Sequence, residues 1–176
     1  EHMAEELKDL LQGVSEDEER LLDNLRKFKQ AQMLRVAAMD LAGALEVFAV
    51  SDQLTLLAEV LLDKVHQMAW HYMVARHGKP TCKVDGQIYY PTLAIVGYGK
   101  LGGRELGYGS DLDLVFLYDC KDGNAMTNGP KPIPCTQFYG RLGQRVRHIL
   151  DTKMLSGVLY EVDMRLRPSG ASGLLV

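Results

Sequence analysis

Cysteine, proline and tryptophan are scarce in this 176-residue chain, and it has no apolar run long enough to span a bilayer. The three cysteines, Cys82, Cys120 and Cys135, are odd in number, scattered and without C-x-x-C spacing. That pattern excludes a disulfide framework and a cysteine-rich zinc site, and it suits a reducing compartment. With no secretory signal in view, a cytoplasmic location is expected. An excess of positive charge is missing as well. Twenty basic residues stand against 23 acidic ones, a formal charge of −3, whereas a generic nucleic-acid binder is usually basic. Neither nucleic acid nor a membrane is therefore expected as a partner. No internal repeat or low-complexity segment occurs. The charge is uneven, however: the opening thirty residues are acidic, while Arg141, Arg145, Arg147, Lys153, Arg165 and Arg167 crowd the last forty.

The richest stretch is LAIVGYGKLGGRELGYGSDLDLVFLYD, residues 93 to 119. An apolar run from Leu93 enters a glycine-studded loop, which delivers Gly109 and Ser110 to Asp111-Leu112-Asp113 and a second apolar run to Tyr118. Two aspartates flanking one leucine at a strand start share a face, roughly 7 Å apart by strand rise. Like charges so close resist joint ionisation unless something positive sits between them. A divalent cation holding a phosphate supplies that charge, and hard carboxylate oxygens suit Mg²⁺ or Mn²⁺. The preceding glycine and serine let backbone N–H groups and a hydroxyl approach phosphate oxygens. The pattern points to metal-dependent nucleotidyl transfer, with the solvated loop D-x-D as the plain alternative.

A rival reading uses the same residues. Gly97-Tyr98-Gly99-Lys100-Leu101-Gly102 is a literal G-x-G-x-x-G after an apolar run, and Asp119 lies where a ribose-binding acid would. That dinucleotide fingerprint needs a helix whose N-terminus meets the pyrophosphate. Gly102, Gly103, Gly107 and Gly109 work against such a helix, each costing about 1 kcal/mol relative to alanine.

Along the chain, Glu1-His2-Met3 reads as a cloning remnant, and residues 4–90 as a helical segment packing on a core at 91–176. Ser15 to Glu18 has the form of a capping box, opening a helix that runs to about Leu45. Ser51 is expected to cap a second long helix, striped by Leu54, Leu57, Leu61, Val65, Met68 and Tyr72 and stopped by Gly78 and Pro80. His66, His71 and His77 share no face at metal-ligand spacing and read as surface or half-buried histidines. Asp85-Gly86 marks a hairpin turn, residues 121–134 a surface loop, and 136–151 a third helix with Phe138, Leu142, Val146, Ile149 and Leu150 inward. The end in Leu174-Leu175-Val176, inside an apolar run, suggests a piece of a longer protein.

Residues 158–167 alternate as a strand, with Glu161, Asp163, Arg165 and Arg167 on one face and Tyr160, Val162, Met164 and Leu166 on the other. Alone, that charged face reads as a solvated edge. Beside an Asp-x-Asp strand in one small sheet, Asp163 becomes a third metal ligand. Arg165 and Arg167 then lie ready for phosphates or an acidic partner through the bidentate guanidinium fork.

Gly-Ser-Asp-x-Asp with a later strand aspartate resembles the DNA polymerase β nucleotidyltransferase superfamily. The longer motifs GYGKLGGREL (97–106), SDLDL (110–114), YEVDMRLRPSG (160–170) and LRVAAMD (34–40) resemble the glutamine synthetase adenylyltransferase family. The resemblance implies an α+β fold with a polymerase-β-like core and an N-terminal helical segment. It implies transfer of AMP from ATP to a tyrosine of glutamine synthetase, with the PII signalling protein as a partner of the full-length enzyme. Asp111, Asp113 and Asp163 would hold Mg²⁺ or Mn²⁺, Gly109 and Ser110 the ATP phosphates, and Lys100, Arg165 and Arg167 the pyrophosphate. The wording ELGYGSD and PSGASG resembles the adenylylating, C-terminal half of that enzyme. The deadenylylating half, which removes AMP by phosphorolysis, and a catalytically idle fragment that docks glutamine synthetase are the alternatives.

Overall fold

In the computed structural model, residues 2–14, 17–120 and 122–164 are described. The chain opens with three helices, α1 (His2–Leu11), α2 (Glu18–Leu41) and α3 (Val47–His77), the last two being the long helices expected. Met3 and Leu7 of α1 are buried, so residue 3, set aside as a cloning remnant, packs in the core. The N-cap of α2 is Asp17, whose side chain accepts from the Glu19 N–H at 3.0 Å, while Ser15 lies outside the described residues. Its C-terminal end comes at Leu41, four residues before the expected stop. Ser51 does not cap α3. That helix starts at Val47 and takes in Ser51, because Val50 extends the apolar stripe one turn before Leu54 and both are buried. A serine inside a helix costs only a few tenths of a kcal/mol, about an order of magnitude less than burying a large aliphatic side chain returns.

Gly78 ends α3 with φ +78°, a conformation glycine adopts freely. A Cβ there would overlap the backbone of Gly129, whose N–H donates to His77 O at 2.9 Å. Two glycines therefore let the 122–134 loop press onto the end of the helix. The expected hairpin follows as β1 (Pro80–Val84) and β2 (Gln87–Tyr89), turning through Asp85 and Gly86 at φ 51° and 81°. Positive φ at both central residues is the signature of a type I′ turn.

The central strands are β3 (Leu93–Tyr98) and β4 (Leu112–Tyr118), antiparallel, with the short α4 (Gly99–Gly102) between them. Within the expected loop, β5 (Met126–Thr127) pairs with β1 and makes a small sheet in the order β2-β1-β5. Helix α5 (Cys135–Asp151) then crosses to β6 (Val162–Asp163), which pairs parallel with β4. The principal sheet is thus mixed, in the order β3-β4-β6. Parallel neighbours need a crossover, which α5 provides. The strand expected over 158–167 contains only two strand residues within the described part, and Arg165 and Arg167 lie outside it.

Burial follows the pleat. Leu112, Leu114 and Phe116 of β4 are all under 3 % exposed and face the helices, while Asp113, Val115 and Leu117 point to the opposite, open face. On α5, Phe138, Leu142, Val146, Ile149 and Leu150 form the buried stripe expected from their three- and four-residue spacing, and Tyr139 is buried beside them. Gly143 lets this helix lie close to the sheet, since a Cβ there would sit 3.3 Å from the Phe116 ring. The Trp70 ring of α3 meets Phe138 edge-on at 5.5 Å, and Tyr118 stacks on Tyr139 at 4.7 Å. Arg145 ties three helices together. It donates to both Glu18 carboxylate oxygens at 2.7 Å and lies 3.4 Å over the Tyr72 ring. No helix among the described residues is long and apolar enough to cross a membrane.

Candidate functional site

Antiparallel pairing of β3 with β4 sets Tyr98 opposite Asp113, and parallel pairing of β4 with β6 sets Asp113 opposite Asp163. Two aspartates separated by fifty positions thereby stand side by side on adjacent strands, on the open face, each half-buried. Asp111 lies two residues before Asp113, exposed, where the glycine loop enters the strand. The three aspartates do not form a group whose oxygens all lie within 4.8 Å, as the three cysteine sulfurs do. Carboxylate oxygens on an open sheet face are nevertheless the donor type that hard divalent cations take.

The glycines around this pair have steric reasons that the dinucleotide reading does not need. Gly99 has φ +53°, and a Cβ there would overlap Asp113 Oδ2, so the backbone of the loop lies directly against that carboxylate. A Cβ on Gly97 would meet the buried Leu101, and one on Gly102 would lie 2.6 Å from Gly97 O. The would-be phosphate-binding helix is a single four-residue turn, and the strands flanking it are antiparallel rather than parallel. Asp119 does not await a ribose either: its carboxylate accepts from Thr92 N at 2.8 Å and its carbonyl from the Tyr89 hydroxyl at 3.1 Å. The dinucleotide alternative is overturned by these pairings.

The fold places the remaining expected residues unevenly. Gly109 is exposed with open space where a Cβ would lie, and Ser110 Oγ accepts from Gly107 N at 3.0 Å, which leaves its own proton to donate. Lys100 lies at the other end of the loop, exposed within α4. Arg165 and Arg167 fall outside the described residues.

A matching protein-family model, described as "Glutamate-ammonia ligase adenylyltransferase", covers residues 1–176. The chain belongs to this family. Among curated proteins, the bifunctional glutamine synthetase adenylyltransferase/adenylyl-removing enzyme of Thioalkalivibrio sulfidiphilus (strain HL-EbGR7) is 53% identical over 177 residues. The match takes in 100% of this chain but 18% of that relative.

Several residues that hold the candidate site of this adenylyltransferase-family chain in place were not picked out from sequence. The loop between α4 and β4 is tied to the helices by two polar contacts and a plug. Tyr108 donates to Asp40 Oδ2 at 3.0 Å at the end of α2, Arg104 Nε donates to Asp52 Oδ1 at 3.0 Å on α3, and Leu106 is buried at 2% exposure. Burial and the Asp40 carboxylate both raise the Tyr108 hydroxyl above its ordinary value. The approach to β6 is gripped from α2. Arg26, 1% exposed, donates to the carbonyls of Leu22, Ile149, Thr152 and Gly157 at 2.7–3.4 Å. Lys29 donates to Leu159 O at 2.6 Å and sits 3.9 Å over the Tyr160 ring, with burial lowering its ammonium pKa. Gln30 donates to Ser156 O at 2.7 Å. An acidic helix with a buried arginine amid polar neighbours gives only a faint signal in sequence, because its partners are distant carbonyls.

The cysteines also depart from expectation. Cys82 of β1, Cys120 after β4 and Cys135 at the first position of α5 bring their sulfurs within 4.8 Å of one another. Local spacing excluded a cysteine-rich cluster, but three separate elements converge to build one. Burial pushes the Cys120 thiol up to about 12 and raises Cys135 as well.

Proposed function

We propose that this chain carries the nucleotidyl-transfer core of a longer enzyme, moving AMP from ATP to a tyrosine of glutamine synthetase with release of pyrophosphate. The carrying observation is the register that puts Asp113 beside Asp163 on the open sheet face, two residues after Asp111. The small mixed sheet backed by α5 is read as a polymerase-β-like core. Asp111, Asp113 and Asp163 are the carboxylates that would hold Mg²⁺ or Mn²⁺; when bound, the cation supplies positive charge to the phosphoryl oxygens during in-line displacement.

The remaining roles belong to the chain's own groups. Gly99, by lacking a Cβ, leaves the space that the Asp113 carboxylate fills. Ser110, accepting from Gly107, keeps its proton for a β- or γ-phosphate oxygen, and the Gly109 amide offers a second donor. On this reading Asp163 helps take the tyrosine proton as the hydroxyl attacks the α-phosphorus, and Lys100, Arg165 or Arg167 would neutralise the departing pyrophosphate. The relative's printed name covers both adenylyl transfer and removal, which supports adenylyl removal as the second reading, with the AMP group passing to inorganic phosphate and leaving as ADP.

The test pairs Asp163→Asn with Glu161→Gln, two residues apart, in a chain extended to the relatives' full length. Attachment of labelled AMP to glutamine synthetase should fall by roughly 10²-fold or more with Asp163→Asn, the scale of losing one preorganised electrostatic group. Glu161→Gln, altering an exposed side chain, should cost several-fold at most. Equal activity of the two variants would remove Asp163 from the site. Loss of phosphate-dependent removal with attachment intact would assign the chain to the removing half.

A further inference from the structure

We propose that Cys82, Cys120 and Cys135 form a three-thiolate site for a thiophilic closed-shell cation of the zinc class, separate from the aspartate site. The three sulfurs lie within 4.8 Å of one another, although the residues come from β1, the segment after β4, and the start of α5. In a tetrahedral zinc–thiolate site, bonds of about 2.3 Å put neighbouring sulfurs roughly 3.8 Å apart. Small side-chain rotations therefore close the gap. A disulfide would use two of these thiols and leave the third idle beside it; a cation uses all three.

The surroundings match what such a site requires. Cys82 and Cys135 are buried at 0% and 1% exposure, which gives a closed floor, whereas Cys120 is half-buried and leaves one side for entry and a fourth ligand such as water. Cys135 opens a 17-residue helix, whose dipole opposes the burial that raises this thiol. The Cys120 thiol donates to Asp122 O at 3.4 Å, a contact easily given up when its proton leaves. On binding, three S–H bonds break and three protons pass to solvent. A divalent cation with three thiolates then carries a net charge of −1, and nothing is oxidised or reduced. The cation would clip the β2-β1-β5 sheet to the head of α5, where Cys135 N already donates to Ala125 O at 2.9 Å.

The experiment titrates the reduced, metal-free 176-residue chain with Cd²⁺ and then with Zn²⁺ against a chromophoric chelator. The expected result is one cation per chain, cadmium–thiolate charge-transfer absorption, about three protons released, and a melting temperature that rises with metal. Each single Cys→Ser change should weaken binding by more than the 10- to 100-fold typical of losing a mere supporting contact. Cys120→Ser is the decisive variant, since its half-buried side chain can change with least harm to folding. Absence of charge-transfer absorption, or tight binding that survives Cys120→Ser, would overturn the site. So would a metal-indifferent chain that loses two hydrogens between two of these cysteines under mild oxidation, which would make the cluster a redox pair.

Discussion

Arg26→Met is the perturbation that most directly tests how the approach to β6 is held. The guanidinium donates to four carbonyls, but they do not depend on it equally. Leu22 O lies inside α2, and Gly157 O also accepts from Met154 N at 3.1 Å, so both keep a partner. Ile149 O and Thr152 O, at the C-terminal end of α5, lose the donor that Arg26 Nη2 supplies at 3.4 and 2.7 Å. An unsatisfied buried carbonyl costs about 1–3 kcal/mol. Methionine fills similar volume and avoids desolvating a cation, which offsets part of that loss. The net effect should be about 3 kcal/mol of destabilisation, lowering the melting temperature of a chain this size by about 6–12 °C. Helical circular dichroism should survive below the transition. Hydrogen exchange should locate the damage: the Gly157 and Tyr160 amides, which bond Met154 O and Leu150 O, should lose protection, while Leu61 and Val65 in α3 change little. A variant as stable as the parent, with unchanged exchange at Gly157 and Tyr160, would show that burying this cation gains nothing and refute the reasoning.

Two further outcomes follow from features beside the sheet. Gly99→Ala places a methyl in the space of Asp113 Oδ2 at a backbone φ of +53°, so it should melt only a few degrees lower yet abolish AMP transfer; wild-type transfer would remove Gly99 from the site. His66 is half-buried with Nε2 unpartnered, and burial lowers its pKa below 6.5, with Asp63 opposing the shift. In acid the unfolded chain takes up that proton more readily, so this residue's share of stability is intact above about pH 6.5 and shrinks as pH falls through the unfolded value. The melting temperature of His66→Gln should therefore fall less than wild type between pH 7 and pH 5, and parallel pH profiles would contradict the shift.

Much of the scaffold was legible because its signals are local. The stripe of α5, the stop at Gly78, the Asp85-Gly86 turn and the two central strands each follow from a period or a dihedral preference. The juxtaposition of Asp113 with Asp163 was within reach because alternation put the charges of both strands on one face. Other features depended on partners far away in the chain. Ser51 lost its expected capping role to a longer apolar stripe, and among the described residues the strand starts only at Val162 because the segment before it bonds to side chains of α2 instead. The glycines of 97–102 look like a nucleotide fingerprint until the backbone shows what each would strike. The cysteines carried no spacing signal, since β1, the end of β4 and α5 meet only once the sheets are assembled.

The unequal pairing of the principal sheet has a kinetic consequence. β3 and β4 close across the short 99–111 connection through six register pairs, whereas β6 adds two pairs only after α5 has returned the chain across the sheet. Contacts of long sequence separation are made late, because loop closure comes before their reward. The β3–β4 hairpin with α5 should therefore assemble first, and Asp163 should arrive beside Asp113 near the end of folding. By the same ordering, β6 should be the part of this sheet that opens most readily in the native state, separating the two aspartates.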